Sequence, residues 1–226
     1  MIVFDRVVKK YPNGREAVAG VSFSIGRGEL VFLTGRSGAG KSTILKLIAL
    51  LERPTRGTVT VNGLDTGRLA RRRIPAFRRQ IGVVFQDHKL LPDRPVFDNV
   101  ALPLVVASTP LKEIDKRVRA ALDQVGLLGK ERALPLELSV GEQQRVGIAR
   151  AVVSKPALLI ADEPTGNLDP FLALEVMRLF RRFQEVGTTV VVATHDPHIV
   201  SEFSRREIVL EDGLVREDTG VEDDAA

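Results

Sequence analysis

A lysine and a serine behind a run of glycines carry the first recognisable chemistry in this chain. Gly35-Arg36-Ser37-Gly38-Ala39-Gly40-Lys41-Ser42-Thr43 matches the pattern Gly-x-x-x-x-Gly-Lys-Ser. Gly35, Gly38 and Gly40 let the main chain turn tightly and aim its N–H groups inward, where phosphate oxygens would accept them. The Lys41 ammonium would reach β- and γ-phosphates, and the Ser42 hydroxyl would hold Mg²⁺. A second set of groups, Asp162-Glu163, follows the apolar run Ala157 to Ala161. A carboxylate at the carboxyl end of a buried parallel strand lies beside such a loop. Asp162 would bind Mg²⁺ through water or assist Ser42, and Glu163 would orient and deprotonate an attacking water. Together these residues imply binding and hydrolysis of a nucleoside triphosphate.

The flanking elements must hold those groups in place. Leu30 to Leu33 reads as a buried strand entering the glycine loop, and Ile44 to Ile48 as a helix leaving it, with its positive end facing the anion. Met1 to Tyr11 alternates apolar and polar residues, which predicts an edge strand, with a turn at Tyr11-Pro12-Asn13-Gly14. Val18 to Ile25 and Thr58 to Val61 add further strands, so the front of the chain predicts a small antiparallel layer. Ile81 to Phe85 is a short buried strand ending at Gln86. From about residue 87 to 151 prolines 92, 95, 103 and 110 punctuate the chain. Helical spacing over Leu111–Val125 and Val140–Val153 then predicts a mostly helical insertion. Ala157–Ala161 and Thr188–Thr194 are continuous apolar strands on either side of an amphipathic helix, Phe171–Val186. The expected fold class is therefore α/β, with a mainly parallel sheet covered on both faces. A hairpin over residues 208–215 closes one domain, residues 1–216, and residues 217–226 form an acidic tail expected to be disordered.

Bulk properties narrow the function classes. The chain has 226 residues, suited to one large domain, and no cysteine, which excludes disulfides, thiolate–metal sites and thiol catalysis. No run approaches the roughly 18 apolar residues that would span a bilayer. The N-terminus lacks the pattern of a signal peptide. The net charge of +4 hides an uneven distribution. Seven acids and one arginine lie beyond residue 210, and six arginines fall between Arg68 and Arg79. That arginine stretch reads as a solvated connector with helix-surface charges, the alternative being a surface for anionic lipid or nucleic acid. It lacks the interleaved aromatics of a single-strand nucleic-acid surface.

Ser139-Val140-Gly141-Glu142 is a Ser-x-x-Glu capping box opening a helix, and a capped helix start is also an anion site. With it, the order of motifs becomes specific. Leu138-Ser139-Val140-Gly141-Glu142, Gln143-Gln144-Arg145, Asp162-Glu163-Pro164-Thr165, Gly166-Asn167-Leu168-Asp169 and His195 resemble the successive motifs of an ABC-type ATPase over residues 1–215. The resemblance implies a P-loop NTPase core. It implies Tyr11 stacked on adenine, and Gln86 between the Mg²⁺ site and the helical insertion. It implies Ser139, Gly141 and Glu142 at the γ-phosphate of ATP held by a second copy, Asp169 acting across that dimer, and His195 at the γ-phosphate. Two ATP molecules would be sandwiched in a head-to-tail homodimer. The chain departs from the usual pattern at Val140, where glycine is common, and at Glu142, often glutamine. If position 140 needed positive φ, valine would be strained; at a first helical position it is acceptable.

Within the family, Gln86-Asp87-His88-Lys89-Leu90-Leu91 and Asp93-Arg94-Pro95-Val96 resemble the bacterial cell-division branch most closely. That resemblance implies a polytopic membrane partner, a peripheral position on the cytoplasmic face of the plasma membrane at the division site, and ATP cycling that controls cell-wall hydrolases. The alternative is an ATPase of the lipoprotein-releasing or macrolide-efflux group. A DNA-repair ATPase would need a long coiled-coil insertion, but only 97 positions separate Ser42 from Ser139 and no heptads appear, so no nucleic-acid partner is expected. A GTP-dependent switch would need a guanine-reading Asn-Lys-x-Asp, which is missing.

Overall fold

The computed structural model describes residues 1–220. Two sheets organise it. The first is antiparallel and built from β1 (Ile2–Lys10), β2 (Glu16–Ile25), β4 (Arg56–Val61) and β5 (Leu64–Asp65), in the order β2-β1-β4-β5. The second holds β3 (Leu30–Thr34), β6 (Ile81–Val84), β7 (Leu158–Asp162), β8 (Thr189–Ala193), β9 (Arg206–Glu211) and β10 (Leu214–Asp218), in the order β10-β9-β3-β8-β7-β6. All its pairings are parallel except the β9–β10 hairpin. The helices are α1 (Lys41–Ile48), α2 (Ile74–Arg78), α3 (Val96–Val106), α4 (Leu111–Gln124), α5 (Val140–Val152), α6 (Pro170–Glu185) and α7 (Pro197–Phe203).

The uninterrupted apolar strands fold as they do because both sheet faces are covered. Leu30, Phe32, Leu159, Ala161, Val190 and Val192 face a core shared with α3–α6. Val31, Leu33, Leu158, Ile160, Val191 and Ala193 face a second core shared with α1 and the antiparallel sheet. Each strand thus alternates between two interiors, which removes the polar side expected of a half-solvated strand.

Three expectations change. The strand expected at an edge, β1, is interior, pairing with β2 on one side and β4 on the other; alternation reports one buried face and says nothing about lateral neighbours. The punctuated stretch around Pro103 contains α3, with the proline inside the helix. Val96, Val100, Ala101 and Leu104 are buried there, and their packing offsets the hydrogen bond that the proline removes. Fully buried Asn99 joins α3 to the preceding loop: its carboxamide donates to the carbonyls of Leu91, Arg94 and Pro95 and accepts from the Leu91 N–H. The arginine stretch keeps its expected exposure: all six arginines are exposed on a connector that holds a 3₁₀ turn (Arg71–Arg73) and α2, with Arg78 donating to the Leu50 carbonyl and Arg68 paired with Asp65. Finally, Glu217 and Asp218, expected in the acidic tail, belong to β10, where Arg206 grips the Asp218 carboxylate at 2.8 Å through both Nε and Nη2. The end of the expected tail, residues 221–226, lies outside the described residues.

Candidate functional site

The glycine loop leaves β3 at Gly35 and enters α1 at Lys41. Gly35 (φ 132°) and Gly40 (φ 112°) both lie where a side chain is strained. Space forbids one as well: a Cβ at Gly35 would stand 2.2 Å from the Leu210 carbonyl oxygen, and one at Gly40 2.6 Å from that of Ala17. The loop can therefore lie close against β9 and β2 only with glycine at these two positions. Lys41 is 6% exposed, and its ammonium donates to the Gly35 carbonyl at 2.6 Å and the Arg36 carbonyl at 3.3 Å.

Neighbouring strands deliver the carboxylates. β7 ends at Asp162, whose Oδ1 accepts a hydrogen bond from the Ser42 hydroxyl at 3.0 Å. Burial pushes the Asp162 carboxyl above its ordinary range, the Ser42 hydrogen bond opposes this, and the neighbouring Glu163 charge adds to it. Glu163 has positive φ (47°), an uncommon conformation for a non-glycine residue, and its N–H is tied to the Ala193 carbonyl at the end of β8. This places Oε1 3.6 Å from the Lys41 ammonium and Oε2 2.9 Å from His195 Nδ1. From the opposite side, the Tyr11 hydroxyl comes within 3.4 Å of Thr43 Oγ1.

These groups surround a cavity of 540 Å³, in the size range of small-molecule sites. Tyr11, Ser37, Gly38, Gly40, Lys41, Ser42, Thr43, Gln86, Glu163 and His195 line it, and Asp162 stands behind Ser42. Arg36 lines the adjoining 430 Å³ cavity with Ser37 and His195. The Ala39 methyl is buried in the core beneath the loop, and its carbonyl accepts from the Gly213 N–H. It supports the loop from below and does not line the cavity.

Ser139, Gly141, Glu142 and Asp169 also stand apart from this cavity. Ser139 caps α5, accepting from the Glu142 N–H at 3.3 Å while its own N–H donates to Glu142 Oε2 at 2.9 Å. Asp169 caps α6 in the same way, its Oδ1 accepting from the N–H groups of Phe171 and Leu172. The two helix starts meet at Gly141, where an added Cβ would stand 3.0 Å from Leu172. Val140 is the first residue of α5 and does not have positive φ, so the unusual valine is unstrained.

Several functional neighbours carry no pattern in the sequence. Asn13, Arg15, Ala17 and Lys46 complete the cavity wall. Lys130 reaches Glu142 Oε1 and, with the Ser139 N–H, holds the Glu142 carboxyl below its ordinary range, which answers the extra negative charge at the start of α5. Arg150, on α5, donates to the carbonyls of His88 and Lys89. Those two consecutive residues both have positive φ and follow Gln86, so one guanidinium ties the Gln86 segment to the helix that Ser139 caps.

Known proteins share this chain's sequence and fold. A family model described as ABC transporter matches residues 18–166. The cell division ATP-binding protein FtsE of Escherichia coli K12 is 55% identical over 222 residues, covering 98% of this chain and all of that protein. FtsE of Bacillus subtilis is 49% identical over 96% of each chain. Among solved structures, a dimeric ATP-binding cassette in a post-hydrolysis state with ADP and phosphate bound superposes with a TM-score of 0.89 at 36% identity, covering 96% of this chain and 97% of that one. With the family model matching more than half of the chain and relatives similar over nearly its full length, this chain belongs to the ABC transporter family of ATPases.

Proposed function

We propose that this chain is the ATP-binding and hydrolysing subunit of the bacterial cell-division ABC complex. The observation that supports it most is the convergence of Tyr11, Ser37, Gly38, Gly40 and Lys41–Thr43 of the glycine loop, Gln86, Glu163 and His195 on one cavity. In this reading adenine stacks on Tyr11, and loop amides with Lys41 hold the phosphates. Glu163 takes the proton of the attacking water, and His195, 2.9 Å from it, orients that carboxylate and contacts the γ-phosphate. ATP brings two copies together, because Ser139, Gly141 and Glu142 lie away from the cavity of their own chain and are available to the nucleotide of the other. Asp169 acts across the same interface.

The donor set suits Mg²⁺. Ser42 and Asp162 are hard oxygen donors 3.0 Å apart, Gln86 faces the same cavity, and the described residues contain no cluster of three or more His, Cys, Asp or Glu. Mg²⁺ takes few protein ligands and completes its shell with water and phosphate oxygens. When bound it would neutralise charge developing on the β- and γ-phosphates.

The membrane side of the reading rests on the relatives' name and on the 86–96 segment. Among the described residues no helix is long and apolar enough to cross a bilayer. In this reading the partner is a separate polytopic protein of the FtsX type, and this chain sits peripherally on the cytoplasmic face at the division site. Affinity capture from the native membrane, with and without ATP, tests this. Co-purification with a membrane partner of the lipoprotein-releasing or macrolide-efflux type would refute the cell-division assignment. Lys41→Ala should lose nucleotide binding; unchanged ATP affinity would refute the phosphate-loop assignment.

A further inference from the structure

Two exposed cations on the cavity wall, Arg15 and Lys46, have no carboxylate within ion-pair distance among the described residues, and of the two Arg15 is the one hydrogen-bonded to the glycine loop. Arg15 is exposed and forms no ion pair among the described residues. Its Nη2 donates to the Gly38 carbonyl at 3.1 Å, on the rim of the phosphate loop. A guanidinium carries five N–H donors, and this is the single side-chain hydrogen bond it makes within the described chain. Its position is built in by the turn after β1. The Tyr11 N–H donates to the Arg15 carbonyl, the Gly14 N–H to the Tyr11 carbonyl, and the Arg15 N–H to Asn13 Oδ1. The same turn therefore presents an aromatic ring and a free cation to one cavity.

We propose that Arg15 is a nucleotide-binding residue that contacts the α- and β-phosphates, the portion that ATP and ADP share. This rests on the nucleotide reading of the cavity. With the base on Tyr11 and the terminal phosphate at Glu163 and His195, a group on the Tyr11 turn that also touches Gly38 faces the intervening stretch of the ligand. Planar guanidinium suits paired phosphate oxygens. Arg15 thereby joins the base-binding turn to the phosphate loop, so that closing on adenine and gripping phosphate occur together.

The test measures binding of Mg-ADP and Mg-ATP to the full chain carrying Arg15→Ala, Arg15→Gln or Arg15→Lys. A charge-assisted contact of this kind corresponds to about a ten- to hundredfold loss of affinity. The expected loss in Arg15→Ala is of that size and equal for the two nucleotides, with a weaker salt dependence of binding. The thermal midpoint without nucleotide should stay at the wild-type value. Arg15→Lys should recover part of the loss. Arg15→Gln retains a donor for the Gly38 carbonyl without charge and should bind as poorly as Arg15→Ala. Full recovery by glutamine would overturn the proposal by reducing Arg15 to a loop support. Loss confined to ATP would overturn it by moving the contact to the terminal phosphate. Unchanged affinities in all three variants, with binding still lost in Lys41→Ala, would overturn it while leaving the nucleotide site intact. No binding by the unmodified chain would remove both readings.

Discussion

Glu163→Gln separates the proposed chemistry from binding, because the proposed general base also contacts the loop lysine. Its carboxylate is 13% exposed, lies 3.6 Å from the Lys41 ammonium and contacts His195 at 2.9 Å. At an effective dielectric of about 20, opposite charges at that separation attract by about 4–5 kcal/mol gross, much of it already offset by desolvation of the pair. An incoming γ-phosphate competes with Glu163 for the same ammonium and is also repelled by the carboxylate. Neutralising Glu163 at constant shape removes both effects, so ATP affinity should stay the same or rise by up to about tenfold, equivalent to about 1.4 kcal/mol. Removal of the proposed general base should lower kcat by about 10²–10⁴-fold, or about 3–5.5 kcal/mol of barrier. The assays are phosphate release under single-turnover conditions, ATP binding at equilibrium, and the elution volume of the protein with ATP and Mg²⁺. The variant should accumulate as an ATP-bound dimer. Turnover near the wild-type rate would refute Glu163 as the base. Weakened ATP binding would refute the charge argument, because it would mean that the carboxylate organises Lys41 and does not compete for it.

Two further predictions concern the scaffold. Gly40→Ala combines φ 112° with a 2.6 Å approach to the Ala17 carbonyl. It should cost more than about 3 kcal/mol by denaturant titration and abolish tight nucleotide binding. Gly187→Ala, with φ 95° but open space around it, should cost only about 1–2 kcal/mol; equal costs would show that the close approach is irrelevant. Asp218→Asn breaks the grip of Arg206, which still retains Glu29 at 2.9 Å, so the loss should be about 1–3 kcal/mol at neutral pH. Burial raises the Asp218 carboxyl, but the Arg206 hydrogen bonds and charge and the Gly220 N–H outweigh this and bring it below its ordinary value of 3.8. A carboxyl whose folded-state pKa is lowered contributes stability above its unfolded value and loses it as pH falls through the folded value. The wild type should therefore lose stability faster than Asp218→Asn below about pH 4, and parallel pH curves would contradict the pairing.

The parts of this molecule legible in its sequence are those where one physical rule acts alone. β3, β7 and β8 stand out because strands buried on both faces cannot alternate. The start of α5 is legible because Ser139 and Glu142 satisfy each other's main-chain N–H. The phosphate loop and Asp162-Glu163 carry their own chemistry. Legibility fails where tertiary contacts override a local rule. Pro103 reads as a breaker until Asn99 and the buried face of α3 are placed around it. β1 reads as an edge because periodicity carries no lateral information. Arg15, Lys130 and Arg150 are single charges in a chain with 33 lysines and arginines, and only folding selects them. Whether Val140 is strained depends on where α5 begins, a matter of one residue.

The double-sided sheet has a further implication for how such a machine can diversify. Odd and even residues of β3, β7 and β8 answer to different interiors, so the helices on one face can be resculpted without changing the side chains that shape the other. Lineages serving different membrane proteins could alter the exposed faces of α3 and α4, while the glycine loop, packed from behind by a different set of residues, stays under its own selection.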